Sequence, residues 1–347
     1  MHKFFKWFGI AACGLLTGLV LAGTSTHAAS KESHFVKEDQ QVTENTYYIT
    51  AKQAQQFKEQ NPNAVVLAVA YGKVPGFSKG HIPGAVQMST NDVESQAAKW
   101  NLLDASQLRK NFLKKGVTAD TPLIVYSPDI SAASRVAFAA YYLGVKNIKI
   151  IDGGQQAWKK AGLPLQKKSD QPKKVTDFGS NTVAHPEAYI KTPADLLQAE
   201  KKNPDLKLVS TRSWKEYIGD ISGYSYIKEA GEPKGAIYGR VSKSSSDVAY
   251  LTNADGTIKD PKAELAYWAK KGITPDQEVV FYCGTGWRAC VPFFLAKEEG
   301  FKNVQLYDGG WYQWNMEHKK DPKKYPVQKG KPGTKNFKVE TTVSAER

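Results

Sequence analysis

Cysteine is scarce in this chain, with three in 347 residues, and there are six histidines. So few cysteines exclude a disulfide-stapled scaffold. The cysteines and histidines show no metal-ligand spacing, and no glycine loop of the nucleotide-phosphate type is present. No metal and no cofactor are expected. Acidic residues are outnumbered, 34 against 48 Lys and Arg, for a formal net charge of +14. Nucleic acid is nonetheless a poor partner, because the lysines are dispersed, as in Lys114-Lys115 and Lys270-Lys271, and no binding motif accompanies them. The excess suits a solvated basic surface, attraction of small anionic substrates, or weak association with an anionic cell envelope.

Cys13 belongs to a segment with its own character. Lys3 and Lys6 precede an apolar run from Phe8 to Ala22, and small residues follow to Ser30. Basic, apolar and small-residue regions in that order predict a secretory signal over 1–28, cleaved after Ala28. An uncleaved anchor is the alternative, and the run is near the lower limit for spanning. No cysteine stands at the cleavage point, which argues against lipoprotein processing. Export to a periplasm or to the cell exterior follows, leaving Cys283 and Cys290 in the mature chain. Its net charge is then 14 − 2 = +12, since the segment holds two lysines and no acidic residue.

The chain repeats itself. Lys114-Lys115-Gly116-Val117-Thr118 returns as Lys270-Lys271-Gly272-Ile273-Thr274, an offset of 270 − 114 = 156. The same offset pairs Tyr126 with Tyr282, Gly144 with Gly300, Asp152-Gly153-Gly154 with Asp308-Gly309-Gly310, and Trp158 with Trp314. A constant offset without a gap indicates duplication. The predicted organisation is a polar linker over 29–44, one domain over 45–166, a linker rich in Lys, Asp, Ser and Thr over 167–186, a second domain over 187–327, and a polar tail over 328–347. In each half, short apolar strands alternate with helices. That pattern predicts the α/β class, with a mostly parallel sheet flanked by helices.

The chemistry concentrates in Val279 to Cys290. Val279 to Tyr282 reads as a buried strand, Cys283 follows at its end, and an apolar helix begins near Ala289. A strand-to-helix loop aims N–H groups and a positive dipole end into its own bowl. A cysteine there ionises more easily than its reference value of about 8.5. Gly284 and Gly286 permit a tight turn, and Arg288 can fold back as a fixed fork for an oxyanion. Cys290 reads as a small apolar residue on the buried helix face, with a regulatory Cys283–Cys290 disulfide as the alternative.

The loop Cys283-Gly284-Thr285-Gly286-Trp287-Arg288 resembles the active-site loop of the rhodaneses, or thiosulfate sulfurtransferases. Thr211 to Gly219 is similar to that family's D-x-R-x-x-x-E-[FY]-x-G segment, with Ser210 in place of an aspartate. Gly80-His81-Ile82-Pro83-Gly84-Ala85 matches its G-H-I-P-G-A signature, and Gly231 to Ala236 is a degraded copy. The resemblance covers nearly the whole mature chain as two tandem rhodanese-like domains, and looks closest to exported multi-domain bacterial sulfurtransferases.

That resemblance implies a persulfide on Cys283, formed from thiosulfate as a small anionic donor and passed to cyanide or a thiol. It implies substrate binding by Gly284, Thr285, Gly286, Trp287 and Arg288. Arg212 reads either as a further substrate contact or as a structural salt bridge. The offset places Ser127 opposite Cys283 and Ala132 opposite Arg288, so the first domain is expected to be catalytically silent and to buttress the active loop.

Three other readings compete. Protein phosphatases and arsenate reductases place five residues between cysteine and arginine, where this loop has four. A 3-mercaptopyruvate sulfurtransferase shares the Cys-Gly-x-Gly start but not Trp287-Arg288. A non-catalytic exported sulfur-carrier or binding module is the third, and joint retention of Cys283, Gly284, Gly286 and Arg288 argues against a wholly inert protein.

Overall fold

The computed structural model describes residues 34–342; the expected signal segment lies outside them. Each half is built on a parallel sheet. In the first, the elements run β1 (Tyr48–Ile49), α1 (Ala51–Gln60), β2 (Val65–Ala70), β3 (Ala85–Ser89), α2 (Ala105–Lys114), β4 (Leu123–Tyr126), α3 (Ile130–Leu143), β5 (Ile148–Ile151) and α4 (Gly154–Lys160). The strand order is β1-β5-β4-β2-β3, all parallel. Strands such as Val65–Ala70 and Leu123–Tyr126 carry almost no polar residues because helices cover both faces of such a sheet.

The second half follows with β6 (Tyr189–Ile190), α5 (Pro193–Lys202), β7 (Lys207–Ser210), α6 (Trp214–Tyr217), β8 (Glu232–Pro233), β9 (Ile237–Tyr238), α7 (Lys262–Ala269), β10 (Glu278–Tyr282), α8 (Trp287–Glu298), β11 (Asn303–Tyr307) and α9 (Gly310–Lys320). Its sheet is β6-β11-β10-β7-β9, again parallel, so the duplication read from the offset of 156 extends to topology.

The halves share one core. Helix α3 packs on α8, and Phe138 meets Phe293 edge to face with centroids 4.9 Å apart. Two cross-domain bonds mirror each other. Asp308 accepts from the backbone N–H of Leu102 at 2.7 Å, and Asp152 accepts from that of Ile258 at 2.7 Å. The pairs obey the repeat, 308 − 152 = 156 and 258 − 102 = 156. Each Asp-Gly-Gly turn therefore clasps the opposite half, and the interface has approximate two-fold character.

Two polar stretches are more structured than composition suggests. The residues from Lys329 read as a tail of no discernible role, yet β12 (Val327–Lys329) and β13 (Lys338–Glu340) form a small antiparallel sheet with β8. Gln328 is buried and bonds both the Gly235 N–H and the Ala236 carbonyl. Strands this short, held by polar pairing, carry no apolar period to read. Within the stretch read as polar linker, Phe35 N–H donates to Ile258 O at 3.0 Å, and the carbonyls of Lys37 and Gln40 accept from the Gln53 amide. That segment is stitched to both halves.

A shared core predicts shared unfolding. Phe293→Ala should cost about 3–5 kcal/mol, and urea denaturation followed by fluorescence and circular dichroism should show one transition for both halves. Two separate transitions in the parent protein would contradict the shared core.

Candidate active site

The loop after β10 is held from behind. Cys283 O accepts from Trp311 N–H at 2.9 Å and Gly284 O from Tyr312 N–H at 3.1 Å, so the first turn of α9 fixes both carbonyls. This approach needs Gly310, where a Cβ would lie 2.4 Å from Gly284 O. Gly286 is the residue before α8, with φ 90°, and a Cβ there would stand 2.2 Å from Asp308 Oδ1 and 2.7 Å from Arg135 Nη1. The helix begins at Trp287, two residues earlier than the apolar pattern indicates.

Cys283 and Cys290 are both free thiols. Cys290 donates to Gly286 O at 3.2 Å, and burial raises its pKa far above the ordinary value, with Arg135 opposing. It is a packing residue, as its place on the apolar face suggested. Cys283 is 1% exposed and lies in the wall of a cavity of about 470 Å³ between the halves. Tyr71, Glu94 and Trp100 enter this cavity from the first half; Tyr224, Tyr226, Thr285, Trp287 and Arg288 enter from the second.

Both arginines of the active half are paired with carboxylates. Arg288 lines the cavity, but its fork is not free for an oxyanion. Nη1 and Nη2 each donate to Glu216 at 3.0 Å, Nη1 also donates to Ser244 O at 2.8 Å, and Nη2 donates to the Tyr224 hydroxyl. Arg212 is fully buried away from the cavity and bonds Gly231 O at 2.5 Å, Ser222 O at 2.7 Å, Glu232 at 2.9 Å and Glu216 at 3.3 Å. It is a structural salt bridge, not a substrate contact. The reason is common to both: a buried guanidinium needs a carboxylate for each charge and an acceptor for each N–H.

Glu216 joins the two arginines and also takes the Ser213 N–H at 2.8 Å. Burial acts to raise its pKa, yet Arg288, Arg212 and Ser213 outweigh it and hold the carboxyl at about 2. Glu232 is pushed up to about 7 by burial, against Arg212, and accepts from the Tyr282 hydroxyl.

Tyr224 was not anticipated from sequence. Its hydroxyl accepts from the Gly284 N–H at 2.9 Å as well as from Arg288. The ring occupies the space above Gly284, where a Cβ would be 2.3 Å from it. One of the loop donors expected to face a thiolate is therefore engaged by this phenol, whose own proton remains to be donated.

The first half reaches into the site through a buried charge cluster. Arg135 Nη1 pairs with Asp308 Oδ1 at 2.7 Å, its Nε donates to Glu94 at 2.9 Å, and its Nη2 donates to Trp100 O at 3.0 Å. Trp287 Nε1 donates to the other Glu94 oxygen at 2.6 Å. Burial pushes Glu94 up to about 7, with Arg135 and Trp287 opposing. Asp308 was visible in the repeat, whereas nothing local marks Glu94 or Arg135.

The equivalent loop in the first half carries no such machinery. Ser127 Oγ accepts from Asp129 N–H at 3.1 Å, and Asp129 caps α3 through Ser131 N–H at 2.9 Å. A second cavity of about 560 Å³ lies beside it, larger than the one at Cys283 and without a thiol. Size does not mark the reactive site here.

The family model described as Rhodanese-like domain matches residues 50–161 and again 192–317. The chain belongs to the rhodanese family. It is 41% identical over 293 residues to the thiosulfate sulfurtransferase YnjE of Escherichia coli, a match covering 84% of this chain and 63% of that protein's length. The crystal structure of YnjE superposes with a TM-score of 0.76 at 38% identity, over 82% of this chain and 69% of that one. The wild-type structure of EanB also gives 0.76, at 31% identity, over 83% and 70%. The sulfur carrier protein TtuD of Thermus thermophilus is 28% identical over 69% of this chain and 83% of its own length. In this rhodanese, then, two domains are present and only the second carries a thiol at the loop.

Glu216 is the site's electrostatic hinge, and its removal leaves two buried guanidinium charges short of a partner. Glu216→Gln should cost about 3 kcal/mol or more. Its pKa falls from the ordinary 4.5 to about 2 on folding, so its stabilisation is present above pH 4.5 and is lost as pH drops through 2. Urea midpoints between pH 2 and 5 should fall steeply in the parent protein and less steeply in the variant; parallel curves would contradict this assignment.

Proposed function

We propose that the protein is a sulfurtransferase that carries a sulfane sulfur as a persulfide on Cys283. The observation that carries this reading is a free thiol at the end of a central strand, opening on a cavity, in a loop whose carbonyls are fixed from behind. The relatives named thiosulfate sulfurtransferase support the reaction class. The thiolate of Cys283 attacks the outer sulfur of thiosulfate, the sulfur–sulfur bond breaks, and sulfite leaves with the electron pair. The acceptor, a thiol or cyanide, then attacks the terminal sulfur, and the Cys283 thiolate departs.

The residues present suit both half-reactions. The twelve-residue α8 begins four residues after Cys283, and a helix N-terminus favours an anion bound near it. The Tyr224 hydroxyl, its oxygen held by Gly284 N–H and Arg288, lines the same cavity as Cys283 and supplies a polar group there. Arg288, although paired with Glu216, is the only cation among the described residues lining the cavity. Release of sulfite thus takes place beside a positive charge.

We further propose that the protein acts after export with residues 1–28 removed, where its basic surface would favour anionic donors and weak contact with the cell envelope. Intact mass spectrometry tests both parts. Protein recovered from its own cells should lack residues 1–28. Incubation with thiosulfate should add about 32 Da, one sulfur, which cyanide removes and Cys283→Ser abolishes; 3-mercaptopyruvate run in parallel ranks the donors. A reduced Cys283 that gains no sulfur from either donor would overturn the enzymatic reading.

A further inference from the structure

Helix α2 and the stretch that follows the first half enclose a groove of about 510 Å³, which shares no lining residue with the Cys283 cavity. Composition marks residues 167–186 as a linker, but part of that stretch is built onto the fold. Val175 N–H donates to Leu113 O at 3.4 Å, and Phe178 O accepts from Ala119 N–H at 2.8 Å. Phe178 is buried, and Gly116 turns with φ 84° where a Cβ would lie 2.6 Å from Lys173 O. One wall of the groove is thus a helix, and the other is a polar segment pinned beside it.

Four cations line this groove, Arg109, Lys110 and Lys114 from α2 and Lys174 from the opposite wall, against a single carboxylate, Asp177. The balance is 4 − 1 = +3. None of the four has an ion pair among the described residues, whereas Lys115, the next along, has Asp92 at 3.6 Å. Asp177 is itself engaged by the Gly179 N–H at 2.8 Å. Lys114 stands in the last turn of α2, where the helix dipole favours a cation, so it needs no ligand to explain it. Arg109 is different. It is half-buried, and its Nε is buried without a hydrogen-bond partner. An unmet buried donor is costly, and an anion seated in the groove would give this guanidinium acceptors that the protein does not.

The other half provides an internal comparison. At the offset of 156, α2 corresponds to α7, and the buried Phe112 to the buried Trp268. Arg109 and Lys110 correspond there to Leu265 and Ala266. A helix at this place in the fold therefore packs without the two cations. Neutral donors complete the lining, with Ser106 on α2 and Thr176 and Asn181 on the opposite wall. Arginine, lysine, hydroxyl and amide side chains are the groups that contact phosphate oxygens. The groove offers no exposed aromatic ring on which a base could stack, since Phe178 is buried.

We propose that this groove is a second binding site, for a flexible phosphodiester chain without bases, of the poly(glycerol phosphate) type. A groove admits a chain and not the flat face of a lipid bilayer. The lysines meet successive phosphates as point charges, and the Arg109 fork makes the planar contact. The site goes beyond the sulfur chemistry and holds whether or not Cys283 carries sulfur.

The test titrates fluorescently labelled poly(glycerol phosphate) with the protein and follows anisotropy. Between about 50 and about 200 mM salt, contacts from the four cations predict roughly a fiftyfold loss of affinity. Lys110→Ala with Lys174→Ala removes two exposed charges and should weaken low-salt binding by about tenfold or more. Arg109→Leu, which installs the side chain found in the other half, should weaken it by about threefold or more. Lys270→Ala with Lys271→Ala removes the same charge from the end of α7 and should change binding by less than about twofold. Sulfur loading of Cys283 should be unchanged in every variant, which also shows that each one folds. Single-stranded DNA of equal charge should compete no better than the base-free polymer, and polyglutamate less well. No binding at low salt, equal losses in the two lysine pairs, a preference for DNA or polyglutamate, or binding to phosphatidylglycerol vesicles alone would overturn the proposal. Failure of sulfur loading in the parent protein would instead count against the sulfurtransferase reading and leave this one standing.

Discussion

The guanidinium of Arg135 is the point on which the two halves and the reactive loop depend together. It belongs to the half with no nucleophile, yet it touches Glu94, Trp100 and Asp308, and it stands where any side chain at Gly286 would have to go. Because it is fully buried, its charge tolerates little displacement without leaving a carboxylate unpaired. The loop shape, the Trp287 indole held by Glu94, and the placement of Trp100 therefore rise or fall as one arrangement. The half whose loop carries Ser127 in place of a cysteine serves as a wall and a clamp.

A second cluster does comparable work within the active half. Glu216 is at once the capping partner of Ser213 in α6, the counter-ion of Arg288 and a contact of Arg212. Its bonds occupy the Arg288 fork, which also donates to Tyr224, and the phenol is the polar group against Gly284. The likeness to YnjE and EanB at TM-scores of 0.76 concerns this whole two-half frame, since each covers more than four fifths of the chain.

Much of this was legible in sequence, and the reasons are physical. Parallel strands buried on both faces must be apolar runs, so β2, β4 and β10 stand out. The gapless offset of 156 exposed the duplication, and the structure repeats it in the paired clasps of Asp152 and Asp308. The Cys283 loop was visible because a tight strand-to-helix turn demands glycine. Arg288 was found as a charge but expected to be free for an oxyanion, and Arg212 was left between two roles, because Glu216 and Glu232 reach them across the fold and a charge shows no partner in one dimension. Tyr224, Glu94, Trp100 and Arg135 escaped for the same reason. Each acts across a fold-level contact and has no local signature, and Tyr224 sits in a glycine-rich connection with no periodicity.

If the first half shapes the reactive loop through Arg135, then Arg135→Lys must slow the chemistry of Cys283 in a folded protein. Lysine keeps the charge that compensates Glu94 and Asp308 but cannot reproduce the three-way fork. The decisive quantity is the rate of persulfide formation on Cys283 from thiosulfate, measured with the urea midpoint as a check that the fold persists. A loss of about tenfold or more is expected, since small misplacements at a reacting centre cost that much. A folded variant that loads at the parent rate would show that the loop needs nothing from its partner domain.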